Sequence, residues 1–198
     1  MTDQLKDFPI AKEGAHPSML TRIVRCGIHN IPGYEGAPAA DKPQIALCWE
    51  LLDEKRTDDK AWDVRTFGQV GSFNEFYTEK GKLNKFFQSM FLDYKEGDRK
   101  IEKYLGELVF VNMIHKPSKD GSRTFANLKS LSPWNDLIPK DGYEAIGETV
   151  FFDFYKPTKE SWDKLTQPEQ EYILQAKDYN GSALAKLLGT EFDESVDY

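Results

Sequence analysis

Cysteine is scarce in this chain. Only Cys26 and Cys48 occur among 198 residues, and no CxxC pair exists. A zinc site built from close cysteine pairs is therefore excluded. Both residues lie in apolar, strand-like runs, where a free thiol behaves as a small hydrophobe. Buried free thiols are expected, with a single Cys26–Cys48 bridge as the alternative. Histidine is equally sparse: His16, His29 and His115 are far apart and form neither HExxH nor HxH. No metal and no cofactor is expected. No apolar run approaches the roughly 18–20 residues that span a bilayer. The opening MTDQLKDFPIAKEG has no basic segment followed by an apolar one, so a soluble, cytoplasmic protein with no secretory signal and no membrane partner is expected. GxxxxGK[ST], GxGxxG and GxSxG are all missing, which removes the common phosphate loops and the hydrolase elbow. Asp58-Asp59 sits in a charged turn and reads as solvated. Nothing places a nucleophile beside a base, and the chain is not expected to be an enzyme.

What is present is aromatic and charged. Hydrophobic residues make up 39%, charged residues 30% and aromatics 13%, with 13 Phe, 9 Tyr and 4 Trp. That is too aromatic for a disordered chain, and the length allows a core without disulfides or metal. One main domain with a smaller appendage is expected. The net charge of −7 is unevenly spread. Residues 11–133 hold 19 Lys/Arg against 17 Asp/Glu, whereas residues 134–198 hold 6 against 14. The last eight residues carry four acids and no base. Net acidity argues against indiscriminate binding to duplex DNA, but a near-neutral body with an acidic tip leaves selective nucleic-acid binding open.

The apolar pattern predicts five strands and one helix in the first two thirds of the chain. Ser18–Gly27 is β-branched and ends on glycine; Gln44–Leu52 alternates, with Ile45, Leu47, Trp49 and Leu51 on one face. Trp49 thus reads as core. A charged tip, Asp53–Lys60, leads to a weaker third strand, Trp62–Phe73. Leu83, Phe86, Phe87 and Met90 then recur at helical spacing. Leu108–His115 is a continuous apolar run, Lys116–Ser122 a turn, and Arg123–Leu131 a fifth strand. Three strands, a helix and two strands is the order of an oligonucleotide/oligosaccharide-binding (OB) barrel. The fold class expected is mainly β: a five-stranded OB-fold barrel with one helix between strands 3 and 4, plus a short helical C-terminal extension and an acidic tail. The expected divisions are a flexible N-terminus over 1–16, an OB-fold nucleic-acid-binding domain over 17–134, a loop and helical extension over 135–189, and the tail over 190–198. Within the extension, 134–157 reads as loop with an aromatic patch at 151–155, and Thr166 with Glu169 fits a capping box.

The fifth strand carries the candidate chemistry. Arg123, Phe125, Asn127 and Lys129 share one face, with Ala126 and Leu128 on the other. Cations meet phosphates and an aromatic face stacks a base, which is what a single strand of nucleic acid requires. Arg22 and Arg25 on the first strand, and Arg65 with Phe67 on the third, are candidates to extend this strip; Trp62, beside the charged tip, fits core and surface equally. The strip also fits a barrel end filled by Phe125 among ordinary surface charges.

From about His16 to Gly181 the chain resembles a family of bacteriophage single-stranded-DNA-binding proteins with an OB fold. The resemblance rests on HPSMLTRIV in the first strand and KPQIALCWEL in the second. It continues through Phe73-Asn74-Glu75 before a Leu-Phe-Phe helix, Leu105-Gly106 opening the fourth strand, and Thr124-Phe125-Ala126-Asn127 before LKSLSPW. The FFDFY…SWDKL…EQEYI stretch is similar as well. A longer Ile31–Asp41 loop and a more acidic Asp53–Lys60 hairpin depart from the pattern. The resemblance implies a protein of DNA replication or recombination that coats and protects unwound single-stranded DNA in the host-cell cytoplasm. It also implies a tail, Glu191, Phe192, Asp193, Glu194, Asp197 and Tyr198, that docks replication or recombination proteins; a homodimer is left open. The alternative, favoured by the net acidity, is an OB-like protein-interaction module that binds a replisome or host protein without nucleic-acid contacts.

On the first reading the tail competes with DNA. A tethered anionic segment has a high effective concentration at a cationic groove, and salt screens that competition. Deleting Glu191–Tyr198 is expected to tighten single-strand binding most at low salt and to abolish docking of replication proteins. Titrations of full-length and truncated protein at low and high salt check this; equal affinities at both would reduce the tail to a solubilising end.

Overall fold

A computed structural model describes residues 10–33, 36–55, 61–65 and 73–190, with the side chains of 55 and 61–65 outside the description. The described chain is mainly β, with one seven-stranded sheet and four short helices. The strands are β1 (Gly14–Ile31), β2 (Ala40–Lys55), β3 (Ala61–Arg65), β4 (Phe73–Asn74), β5 (Leu108–Pro117), β6 (Thr124–Pro133) and β7 (Val150–Asp153). The helices are α1 (Lys82–Met90), α2 (Lys159–Asp163), α3 (Gln167–Ile173) and α4 (Ala183–Leu188). None is long and apolar enough to cross a membrane.

The sheet runs β3-β2-β1-β5-β6, with β4 on β2 and β7 on β1. β1 is the axis. β2 lies antiparallel along one side of it from Ser18 to Ile31. Its other side is shared, β5 pairing with Gly14–Met19 and β7 running parallel to Arg22–Arg25. Register shifts between Leu20 and Arg22 and between Arg25 and Gly27 mark two bulges, which bend a strand and increase its twist. Among the described residues no pairing joins β6 to β3 or β4, so the sheet is open. The helix α1 instead packs against both β4 and β6.

Three differences from the expected layout have physical reasons. The third strand is two pieces, β3 and β4, both on β2, with residues 66–72 between them outside the described residues. Residues 14–16, expected as part of a loose end, begin β1, and buried His16 bridges Asp53 at 3.0 Å and the Lys12 carbonyl at 3.0 Å. The Val150–Asp153 stretch, expected as loop, is a strand: VFFD is too short to show a period of two, yet its Phe152 is fully buried.

Two cores share β1. Leu20 and Ile23 enter the first with Ile45, Leu47, Trp49 and Leu51 of β2, and with Leu83, Phe87 and Met90 of α1. The helical spacing thus gives a buried face, and Lys82 and Lys85 are exposed opposite it. Val24 and Cys26 enter the second with Phe152, Phe154, Trp162, Ile173 and Leu184. The extension is therefore packed onto the back of the sheet. Cys26 and Cys48 are both buried, with no bridge between them, and burial pushes the Cys26 thiol up. Gly27 permits the close approach: its φ is +81°, and a Cβ there would lie 2.9 Å from Ala176 and 2.9 Å from Asp178. The Thr166 capping box forms, Glu169 accepting from the Thr166 N–H at 2.8 Å.

His29 joins the end of β1 to α3. Its ring stacks on Tyr172 at 4.0 Å and 4°, and one ring nitrogen lies 3.0 Å from the Cys26 carbonyl. Burial lowers the His29 pKa, and the Cys26 carbonyl and Asp178 only partly offset this. The fold thus prefers the neutral ring, and the unfolded chain binds the proton more readily. Stability is expected to be full above the unfolded value near 6.5 and to fall as pH drops below it, by at most about 1.4 kcal/mol per pH unit for one proton. Urea midpoints between pH 8 and 5 check this: the drop should shrink in His29→Phe, which keeps the stack and cannot protonate.

Candidate functional site

The β5–β6 hairpin brings together most of the expected strip and adds to it. Directly opposed residues of an antiparallel pair share a face, and Phe125 opposes Lys116, with Asn127 opposing Ile114. Ala126 and Leu128 pack inward against the first core. Outside, Phe125 is 49% exposed, and Arg123, Lys129 and Lys116 are exposed. Asn127 donates to the Phe125 carbonyl at 3.1 Å, which steadies the strand beside the ring. A register shift opposite Asn112 and Met113 makes Lys129 the extra residue of a bulge, between Leu128 and Ser130. The turn is set by Asp120, which accepts from Ser118 at 2.5 Å and from the Ser122 N–H at 3.1 Å, holding its carboxyl at about 2. None of Lys116, Arg123 and Lys129 is in an ion pair with a described acid. Further along the same face, Phe110 stacks on Trp134 at 5.0 Å and 8°.

Lys116 was not among the expected site residues. It reads in sequence as the start of the turn, and only the register places it across from Phe125.

The two arginines of β1 are not brought to this hairpin. The Arg22 guanidinium grips Glu169 at 2.7 and 3.1 Å and donates to the Lys164 carbonyl at 2.9 Å, fastening α3 to the sheet. Arg25 donates to Glu75 at 2.8 Å, Asp153 at 3.0 Å and the Arg99 carbonyl at 2.9 Å. Burial works against its charge, but Tyr77, Glu75 and Asp153 outweigh it and raise its pKa. Trp62 and Arg65 lie in β3, opposite Leu51 and Cys48. Phe67 and the tail residues Glu191, Phe192, Asp193, Glu194, Asp197 and Tyr198 lie outside the described residues.

Arg25 also floors a pocket of about 620 Å³ between β1, the segment that follows β4, β7 and the 3₁₀ turn at Ile101–Tyr104. Its walls include Phe76 and Tyr155, 40% and 48% exposed, and its rim carries Arg99, Lys100 and Lys156. Tyr155 lies two residues beyond the strand that periodicity does not reveal.

Compared with known proteins, the chain matches no family model and no curated protein.

Arg25 holds two carboxylates from distant parts of the chain. Removing one partner of a largely buried ion pair leaves the other uncompensated, at a cost of about 3–5 kcal/mol. Arg25→Met retains the aliphatic stem but strands Glu75 and Asp153 together. It is expected to lower stability by about 3 kcal/mol, the lower end because the groups keep some solvent contact. Chemical denaturation measures it, and an unchanged midpoint would refute the role of the cluster.

Proposed function

We propose that the chain binds single-stranded DNA without sequence preference and coats unwound strands, with the outer face of the β5–β6 hairpin as a principal contact. One observation carries the reading: a half-exposed Phe125 ring lies opposite Lys116 and two residues from Arg123, with Lys129 further along the strand, and no described acid pairs with these cations. An aromatic ring half exposed on a strand loses hydrophobic stabilisation, and cations held beside it repel one another. A polyanion with unpaired bases relieves both, since phosphates release counterions at the cations and a base covers the ring. Duplex DNA offers phosphates but keeps its base faces stacked.

The OB reading of the fold is part of this proposal. The central β1, the meander through β2 to β3, the helix that follows and the β5–β6 hairpin keep an OB order. The packing of α1 between β4 and β6 lies where such a barrel would draw together. Arg22 and Arg25 serve structure here rather than phosphate, so the cationic surface is smaller than the arginine content of β1 suggests. The sequence resemblance to phage single-strand binders supports the same reading.

Fluorescence-anisotropy titration with oligo-dT, against a duplex of equal length, tests it. Single strands are expected to bind more tightly at every salt concentration. Phe125→Ala is expected to weaken binding by about 1–3 kcal/mol, with the salt slope little changed. Arg123→Ala is expected to lower that slope by about 0.7. Equal affinity for duplex and single strands, or both variants binding as wild type while folded, would refute the hairpin site.

A further inference from the structure

We infer that the pocket floored by Arg25 is a nucleotide subsite for the same single strand: a base lies against Tyr155 and Phe76, and its neighbouring phosphates lie at Arg99, Lys100 and Lys156. This rests on the single-strand reading above and adds a second contact remote from the hairpin.

The exposed aromatics point to it. Among the described residues only three aromatic side chains are exposed: Phe76, Phe125 and Tyr155. All three share a surface with cations that pair with no described acid. Phe125 has the hairpin cations, and the other two share this pocket. Burying aromatic surface is favourable, so two rings left half-exposed in the lining of one concavity are placed for an outside partner. At about 620 Å³ the pocket falls within the roughly 300–1,000 Å³ of sites that enclose a small organic ligand, the size class of a base with its sugar and phosphate.

The charges favour an anion at the rim and not at the floor. Glu75 and Asp153 are both engaged by Arg25, so the two inner acids face inward to a fixed guanidinium. Arg99, Lys100 and Lys156 are exposed and in no ion pair with a described acid, and Glu102 is the one lining acid outside the Arg25 cluster. The Arg99 guanidinium lies 5.9 Å from the centre of the Tyr77 ring, and both residues line the pocket. Tyr155 is held as a platform: its N–H donates to Asp153 at 2.9 Å, and its ring meets Phe154 edge-on at 5.2 Å and 86°. A rigid ring stacks a base without first losing side-chain entropy.

The test uses full-length protein with oligo-dT carrying 5-iododeoxyuridine. After irradiation, cross-linked peptides are mapped by mass spectrometry, with unlabelled oligo-dT or dTMP as competitor. Cross-links at Phe76 or Tyr155, displaced by oligo-dT but not by the same nucleotide concentration of dTMP, are expected. Tyr155→Ala is expected to weaken oligo-dT binding roughly 5- to 150-fold, the scale of one lost stacked base. Lys156→Ala, at an exposed position with no described ion pair, is expected to lower the salt slope by about 0.7. Cross-links confined to the hairpin around Phe125, with Lys156→Ala binding as wild type, would overturn the subsite and leave the single-strand reading standing. Displacement by dTMP as effective as by oligo-dT would also overturn it, in favour of a free-nucleotide site. Failure of wild-type protein to bind oligo-dT at low salt would overturn both.

Discussion

The burial of β1 on both faces is the constraint from which the rest of the architecture follows. A strand with one wet face alternates; this one places Leu20 and Ile23 in one core and Val24 and Cys26 in the other. Two bulges let eighteen residues serve both. Its neighbours are thereby determined: β2 must cover one edge, and β5 and β7 must divide the other between them. Any group on β1 that is not apolar has to be satisfied inside the protein, because little of the strand reaches solvent.

That requirement explains Arg22 and Arg25. Each sits on the central strand, and each meets carboxylates supplied from 50 to 147 residues away. Arg22 ties in α3 through Glu169, and Arg25 ties β7 and the segment after β4 to the sheet. The C-terminal acidity visible in the sequence is in part the complement of these arginines. Glu50 works in the same way: buried on β2, it accepts from the N–H groups of Ile146 at 2.5 Å and Gly147 at 2.9 Å, holding down the loop before β7. The acid-rich third of the chain is thus partly internal counter-charge rather than a solvated surface.

The elements legible in the sequence were those with a clean period. β2 with its Trp49 face, α1 with Leu83, Phe87 and Met90, the β5–β6 hairpin and the helix opened by the Thr166 capping box all lie where the pattern places them, within a few residues. β7 was not legible, because four residues with three apolar side chains show no alternation, and parallel pairing with β1 is a long-range event that local sequence does not announce. The role of Arg22 and Arg25 was hidden for the same reason: a cation on a strand looks alike whether it faces a phosphate or a buried glutamate. Of the candidate strip, the alternation of β6 was readable up to Leu128, and beyond it the bulge shifts the inward position to Leu131. Lys116 became visible only through register. The pocket was illegible, since β1, the segment after β4, β7 and the 3₁₀ turn each supply a part of it.

The two cationic surfaces are far apart along the sheet. The hairpin tip lies beyond the register of Gly14 on β1, while Arg25 is eleven residues further along that strand. At about 3.3 Å per residue this is about 36 Å of strand. Even halved by the bends at the two bulges, the separation exceeds the Debye length of about 8 Å at physiological ionic strength. Measured along the strand the two surfaces lie beyond one screening length of each other, and the net charge of −7 says little about the potential at either one. Substitutions at such separations add, so losses at Phe125 and Tyr155 that combined less than additively would mean that a ligand uses one surface at a time. A small anion is confined to one of them in any case. On the proposed reading, only a long, flexible polyanion with exposed ring faces has the reach to engage both, which is why that reading takes a strand of nucleic acid and not a free nucleotide as the ligand.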